Sequence, residues 1–344
     1  MAARALRAGS PEIHSVTAND GVALRLSRYR GGDRGPVMLV HCIGVSSAMY
    51  SLDTVPTNLL EFLFEAGFDV WLLDFRFSIL LADAAVPHSF DDVATRDYPA
   101  AVAAVLAATG RPSLQVVAHG VGSSTLTMAL LAGLTGVRAA VCSQVSTHLE
   151  LPPLSRAKAE LRLTSLAAAA GIRTMTADVN PGIADQLMDH LNKLHPIDDE
   201  ERCDSAVCRR ITVMYGELYQ HGQLSAETHA TLGELFGVVS VRAFGQLARL
   251  GRVGHLVDED GGEAYLPNLP RLALPILFIH GALNECVLPR ATEITLERLG
   301  DRNGAALYSR RLIPDYGHVD CIIGKDASRD VYPHILAHLS ATPN

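Results

Sequence analysis

Five short, almost wholly apolar runs recur along this chain, most of them separated by helix-like stretches, and that alternation constrains the fold more than any other feature. They are residues 37–41 (VMLVH), 69–73 (DVWLL), 114–118 (LQVVA), 137–145 (VRAAVCSQV) and 275–280 (PILFIH). Strands apolar on both faces belong in a sheet covered on both sides, and parallel neighbours need a crossover, usually a helix. Residues 91–108 supply one such helix, with Ala101, Val102, Val105 and Leu106 on one face and Gly110 as its stop. A buried helix is expected over 123–133, others near 290–299 and 327–339, and a strand near 306–313. The fold class is α/β, a mostly parallel sheet flanked by helices.

The alternation breaks between about Leu149 and Leu256. That stretch reads as Ala-, Leu- and charge-rich helical segments without a strand, punctuated by Pro152-Pro153, Pro181-Gly182 and Pro196. One crossover needs one helix, so about a hundred helical residues inside a parallel sheet imply an insertion. The expected organisation is a first core part at 1–148, a helical cap at 149–256 and a second core part at 257–344.

Composition removes several functions. A formal net charge of −8 over 344 residues, with no Lys/Arg block, argues against nucleic acid and anionic membranes as partners. Residues 114–137 hold no Asp, Glu, Lys or Arg, but the glycines at 120, 122, 133 and 136 favour a buried strand, turn and helix over a membrane span. The first fifteen residues lack the apolar core of a signal peptide, and a cytoplasmic location is expected. Of six cysteines, only Cys203 and Cys208 are close, and C-x4-C without a second cysteine pair is a poor zinc signal. The cysteines are read as reduced core thiols, and no metal or cofactor is expected. No phosphate-binding loop occurs, and H-G-V-G-S-S lacks the third glycine of a dinucleotide turn.

Three segments fall where acyl-transfer chemistry needs them. Ala118-His119-Gly120-Val121-Gly122 matches small-x-nucleophile-x-small, the pattern of a crowded strand-to-helix elbow. Gly281–Asn284 follows the PILFIH strand, where an orienting residue belongs, and Tyr316-Gly317-His318 follows the last strand, where a general base belongs. His41-Cys42-Ile43-Gly44 resembles the H-G-x-G turn of an oxyanion hole, whose donors would be the N–H groups of Ile43 and Val121. Losing one such donor costs about 2.7–4 kcal/mol of transition-state stabilisation.

With these motifs the chain resembles the α/β-hydrolase superfamily. It is most similar to a bacterial subgroup akin to the hydrolase-like regions found with glucose–methanol–choline-type cholesterol oxidases. The stretches that carry the resemblance include FEAGFDVWLLDFRFS, VVAHGVGSSTLTMALLAGL, ALNECVLP and YGHVDCIIGKDASRDVYPHIL. The resemblance implies an α/β-hydrolase fold with an inserted cap. It also implies an elbow of the form H-C-x-G-S with a cysteine nucleophile, and asparagine as orienter. Asn284 follows that pattern and Gly120 departs from it.

A side chain at a strained elbow costs about 1–3 kcal/mol, which glycine avoids. Gly120 is therefore good for the turn and useless for nucleophilic chemistry. Either a cysteine has been replaced there in an otherwise intact site, which His318, Asn284 and the oxyanion turn favour, or the chain uses no covalent nucleophile. Cys42 and Cys286 flank the expected pocket and are read chiefly as packing residues, and His148 is a further pocket candidate. Ser123 is one helical turn too far. His119 and His41 are expected to be structural, Asp74 and Arg76 an ion pair, and Asp320 a lesser alternative to Asn284.

The expected activity is hydrolysis or transfer of an acyl group on an ester, thioester or lactone through a Cys-His-Asn-type site disabled by Gly120. The expected substrate is an apolar small molecule or acyl compound, and the sequence is silent on oligomeric state. Two rivals remain: an elimination in which His318 is the base, and a ligand-binding protein on a hydrolase scaffold.

Overall fold

The computed structural model describes residues 4–178 and 201–342. Eight strands form one sheet: β1 (Glu12–Thr17), β2 (Ala23–Tyr29), β3 (Pro36–Val40), β4 (Asp69–Asp74), β5 (Leu114–His119), β6 (Val137–Ser143), β9 (Ile276–Gly281) and β10 (Tyr308–Ile313). Their order is β1-β2-β4-β3-β5-β6-β9-β10. β2 runs antiparallel to β1 and β4, and every other pairing is parallel. The α/β-hydrolase fold expected from the sequence is the fold observed.

β3, β4, β5 and β9 are buried at every residue, as their unbroken apolar runs require. Each fully buried Val, Leu or Ile side chain contributes roughly 1.5–3 kcal/mol, which is why these central strands anchor the core. Helix α1 (Leu59–Glu65) begins on a reciprocal cap between Asn58 and Glu61. Helix α2 (Tyr98–Thr109) buries Ala101, Val102 and Val105 and ends at Gly110, whose φ of 65° is left-handed. The chain enters it through a short helical turn (Phe90–Asp92) and a π-helical turn (Val93–Asp97), so the helical stretch read from 91 is one interrupted run. Helix α3 (Val121–Ala132) starts one residue after β5 and is almost wholly buried.

The expectation of a cap without strands is corrected. β7 (Thr174–Thr176) and β8 (Val238–Ser240) pair antiparallel as a small ribbon. Three-residue strands carry too little periodicity to read from a sequence. Around them lie α4 (Pro153–Glu160), α5 (Leu163–Ala169), α6 (Ala206–Tyr215) and α7 (Val241–Val253). The two ends of this stretch lie side by side: Leu149 N–H donates to Gly254 O (3.0 Å) and Leu256 N–H to Thr147 O (3.0 Å). Pro181-Gly182 and Pro196 lie outside the described residues. Among the described residues no helix is long and apolar enough to cross a membrane.

The expected Asp74–Arg76 pair is also corrected. Buried Asp74 accepts from Ser47 N–H (2.9 Å), Ser47 Oγ–H (2.8 Å) and Ser78 Oγ–H (2.7 Å), while buried Arg76 pairs with Asp97 (2.6 Å) and Asp20 (3.0 Å). Adjacent strand-end side chains two residues apart need not share a partner, and here nearer groups claimed both.

Candidate active site

The elbow is set by β5 meeting α3 with no intervening loop. Gly120 links them at φ 56°, ψ −126°, and its N–H donates to Ser143 O on β6 (3.0 Å). The flanking small residues are dictated by contact. A Cβ on Gly122 would stand 2.3 Å from His41 O, because the first turn of α3 lies against the end of β3.

The same construction at Gly120 exposes the central feature of the site. A Cβ there would lie 2.6 Å from Cys42 Sγ and 3.1 Å from His318 Nε2. The room that an elbow side chain would occupy is already filled by the Cys42 sulfur, reaching across from the loop after β3. A cysteine therefore cannot be restored at 120 while Cys42 keeps this position. The two expected oxyanion donors converge on that sulfur as well: Val121 N–H donates to it (3.3 Å) and Ile43 N–H faces it. Burial pushes the Cys42 thiol above its ordinary ionisation range, and these N–H groups oppose the shift in part.

His318 and Asn284 are together, but not in the sense expected. Asn284 Oδ1 accepts from Cys286 N–H (2.9 Å) and Val287 N–H (3.0 Å), which fixes the orientation of its amide. Its NH2 group then faces Gln144 Oε1 (3.0 Å) and His318 Nδ1 (3.1 Å). Asn284 thus donates to Nδ1, and the proton of neutral His318 sits on Nε2, toward Cys42 and Gly120. A general base needs that nitrogen bare. Burial, with His119 and His280 nearby, pushes His318 well below the usual imidazole range, so the ring is neutral at ordinary pH.

Other candidates are placed as follows. Cys286 is beside the site; its thiol donates to Tyr215 O (3.2 Å), and burial with Cys42 close by pushes it to about 12. His148 stands at the stem of the cap, where its Nδ1 meets Thr147 Oγ1 (2.9 Å) and its ring lies 6.1 Å from that of His255. Burial and His255 lower it to about 4. Ser123 Oγ–H donates to Val145 O, away from the site. Asp320 accepts from Gly317 N–H (2.9 Å) and Gln220 N–H (3.1 Å) instead of orienting His318, and burial raises it to about 7. His119 Nδ1 meets Ser143 Oγ (3.0 Å), its ring stands edge-on to His318 with centroids 4.9 Å apart, and burial lowers it to about 3. His41 stacks on Phe75 with its Nδ1 against its neighbour's carbonyl.

Of two further residues at the site, Gln144 carried no usable sequence signal, and Tyr215 reads from the sequence as more often a core or surface residue than a substrate contact. Gln144 follows β6 at φ 74° and holds both Gly281 N–H (3.0 Å) and Asn284. Tyr215, at the end of α6, brings its hydroxyl down on the oxyanion turn, where a Cβ on Gly44 would lie 1.9 Å from it. Among the described residues that buried hydroxyl has no hydrogen-bond partner, so it would gain from a bound carbonyl or hydroxyl.

Sheet order and elbow are those of the α/β-hydrolase fold, and the comparisons point the same way. No protein-family model matches the chain. The lipase lipl-3 of Caenorhabditis elegans is 33% identical over 133 residues, 33% of each chain. The human lipase member K is 24% identical over 364 residues, covering 94% of this chain and 86% of its own. The chain spans about a third of the length of the first curated relatives it matches, at 33% and 35%. Among solved structures, a thermophilic esterase from Thermogutta terrifontis superposes with a TM-score of 0.59 over 97% of this chain and all of its own, at 16% identity. This likeness is one of fold.

Proposed function

We propose that this chain hydrolyses or transfers acyl groups of esters, thioesters or lactones, with the Cys42 thiol as the attacking group. The observation that carries the reading is the position of Cys42 Sγ in the room of an elbow side chain, beside His318 and under the N–H groups of Ile43 and Val121. In the subgroup that the chain resembles, cysteine stands in the elbow; the oxyanion-turn pattern it resembles has glycine where Cys42 stands. Here the two residue types have changed places between positions 42 and 120, so a thiol is kept in the site and delivered from the other loop.

The steps follow from the groups present. The thiol loses its proton, the thiolate attacks the acyl carbonyl, and the oxyanion displaces the sulfur from the N–H groups of Ile43 and Val121 as the carbon–sulfur bond forms. Collapse expels the alcohol or thiol, and water or a second alcohol releases the acyl group. The histidine limits the rate. With Nε2 protonated by default, His318 must reach its minor tautomer before it takes the thiol proton. In serine proteases an amide in the orienting position leaves the wrong tautomer and lowers kcat about 10⁴-fold. The chain is therefore a slow acyl enzyme, limited by the tautomer that Asn284 imposes on His318.

The test is single-turnover cleavage of activated esters and acyl thioesters by the wild type and by Cys42→Ala. Acyl release that vanishes in Cys42→Ala supports the reading, and equal release by both proteins overturns it. A second reading has its own observation. A neutral His318 with Nε2–H toward Cys42, and a Tyr215 hydroxyl without a partner over the oxyanion turn at Gly44, are donors suited to holding a carbonyl ligand without turnover. It predicts binding that survives Cys42→Ala and no product.

A further inference from the structure

The cap gathers four metal-binding side chains from three separate segments. Cys203 and Cys208 flank the start of α6, His221 lies in a short 3-10 turn (His221–Gln223), and His229 lies in a short helix (Ala226–Ala230). Their ligand atoms all lie within 4.8 Å of one another. Cys208 Sγ is 3.3 Å from His221 Nε2, and Cys203 Sγ is 3.6 Å from His229 Nε2. Zinc bonds of about 2.3 Å to sulfur and 2.0–2.1 Å to nitrogen give tetrahedral sulfur–nitrogen edges of about 3.5 Å. The observed edges bracket that length. We infer that these residues form a structural zinc site of the Cys2His2 type in the cap.

The groups behind the ligands fit the same assignment. His221 turns its other nitrogen, Nδ1, onto Glu201 Oε2 at 2.6 Å, which fixes the ring with Nε2 directed at the cluster. The phenol O–H of Tyr219 donates to Cys208 Sγ at 3.0 Å. A carboxylate behind a ligating histidine and a donor on a ligating sulfur are what zinc sites use to orient and tune their ligands. Two thiolates balance the charge of the ion, and the thiol protons leave on binding. The spacing is C-x4-C-x12-H-x7-H. Soft sulfur with imidazole in a closed tetrahedron selects zinc over the oxygen-seeking cations.

The site also has a task that the fold explains. The strand of chain carrying Tyr219 and His221 is bonded to the loop that carries His318. His318 N–H and Val319 N–H both donate to Leu218 O (2.9 and 2.7 Å), and Gln220 N–H donates to Asp320. Zinc would pin this part of the cap where it supports the histidine loop, without touching the reacting groups.

The experiment measures zinc per chain by elemental mass spectrometry on full-length protein purified under reducing conditions from zinc-supplemented culture. About one zinc is expected in the wild type, under a tenth of that in Cys203→Ser and His229→Ala, and full occupancy in Cys286→Ser. Two variants guard against one failing to fold. Protein stripped by a chelator and reloaded with cobalt(II) should show thiolate-to-metal charge transfer and the intense visible bands of a tetrahedral ion, lost in both site variants. Stripping should expose the cap to limited proteolysis, and zinc should reverse that. No zinc on purification and no zinc or cobalt uptake by the reduced chain overturns the inference, as does a Cys203–Cys208 disulfide in peptide maps of the unreduced protein. Neither result bears on Cys42, so the site fails or stands apart from the proposed activity.

Discussion

Placing cysteine at position 120 is the substitution on which the account of the site bears hardest. The new Cβ would lie 2.6 Å from Cys42 Sγ and 3.1 Å from His318 Nε2, on a backbone with φ 56°. Strain at such a φ costs about 1–3 kcal/mol, and overpacking a filled core costs about 1–3 kcal/mol more. Gly120→Cys should therefore lose about 2–6 kcal/mol of unfolding free energy in urea titration. In Gly120→Cys combined with Cys42→Gly, only the backbone term remains, so the pair should recover about 1–3 kcal/mol of the loss. The assay is a double-mutant cycle on four proteins under reducing conditions. A single variant as stable as the wild type, or strictly additive effects, would refute the claim that one space serves both side chains.

Asn284→Asp puts an acceptor against His318 Nδ1, moves the proton off Nε2 in the resting tautomer, and should raise the single-turnover rate on an activated ester at least tenfold; an unchanged or lower rate in folded protein argues against the tautomer account. Arg76→Met strands buried Asp97 without its guanidinium and should cost about 3–5 kcal/mol in urea unfolding, whereas a loss below 1 kcal/mol would contradict a buried pair. Asp320 is raised from 3.8 to about 7 by burial, so the unfolded chain gives up this proton first and stability falls as pH rises through that window. Asp320→Asn should flatten this part of the stability–pH curve, and an unchanged slope would remove Asp320 as its cause.

The central sheet was legible because its strands are buried on both faces, leaving unbroken apolar runs at residues 37–41, 69–73 and 114–118. β1 and β2 were not read: β1 is an edge strand with four exposed residues, and β2 carries Arg25 and Arg28. The stations of the site at 43, 120, 121, 284 and 318 were legible because each follows a strand end. Which atoms meet there was not. That Cys42 fills the room above Gly120 depends on two loops separated by 78 positions, and that Asn284 donates to His318 depends on the backbone N–H groups of Cys286 and Val287 claiming its oxygen. The Cys203–Cys208 pair looked empty because its complement is two histidines from later turns instead of a second cysteine pair.

Cys42 as the reacting atom is tested most directly by intact-protein and peptide mass spectrometry after brief exposure to acyl thioesters and activated esters. One acyl group on the peptide containing Cys42, absent from Cys42→Ala and slow to form in folded His318→Ala, is the predicted result. Acyl turnover with no adduct at Cys42, unaltered in Cys42→Ala, would contradict it.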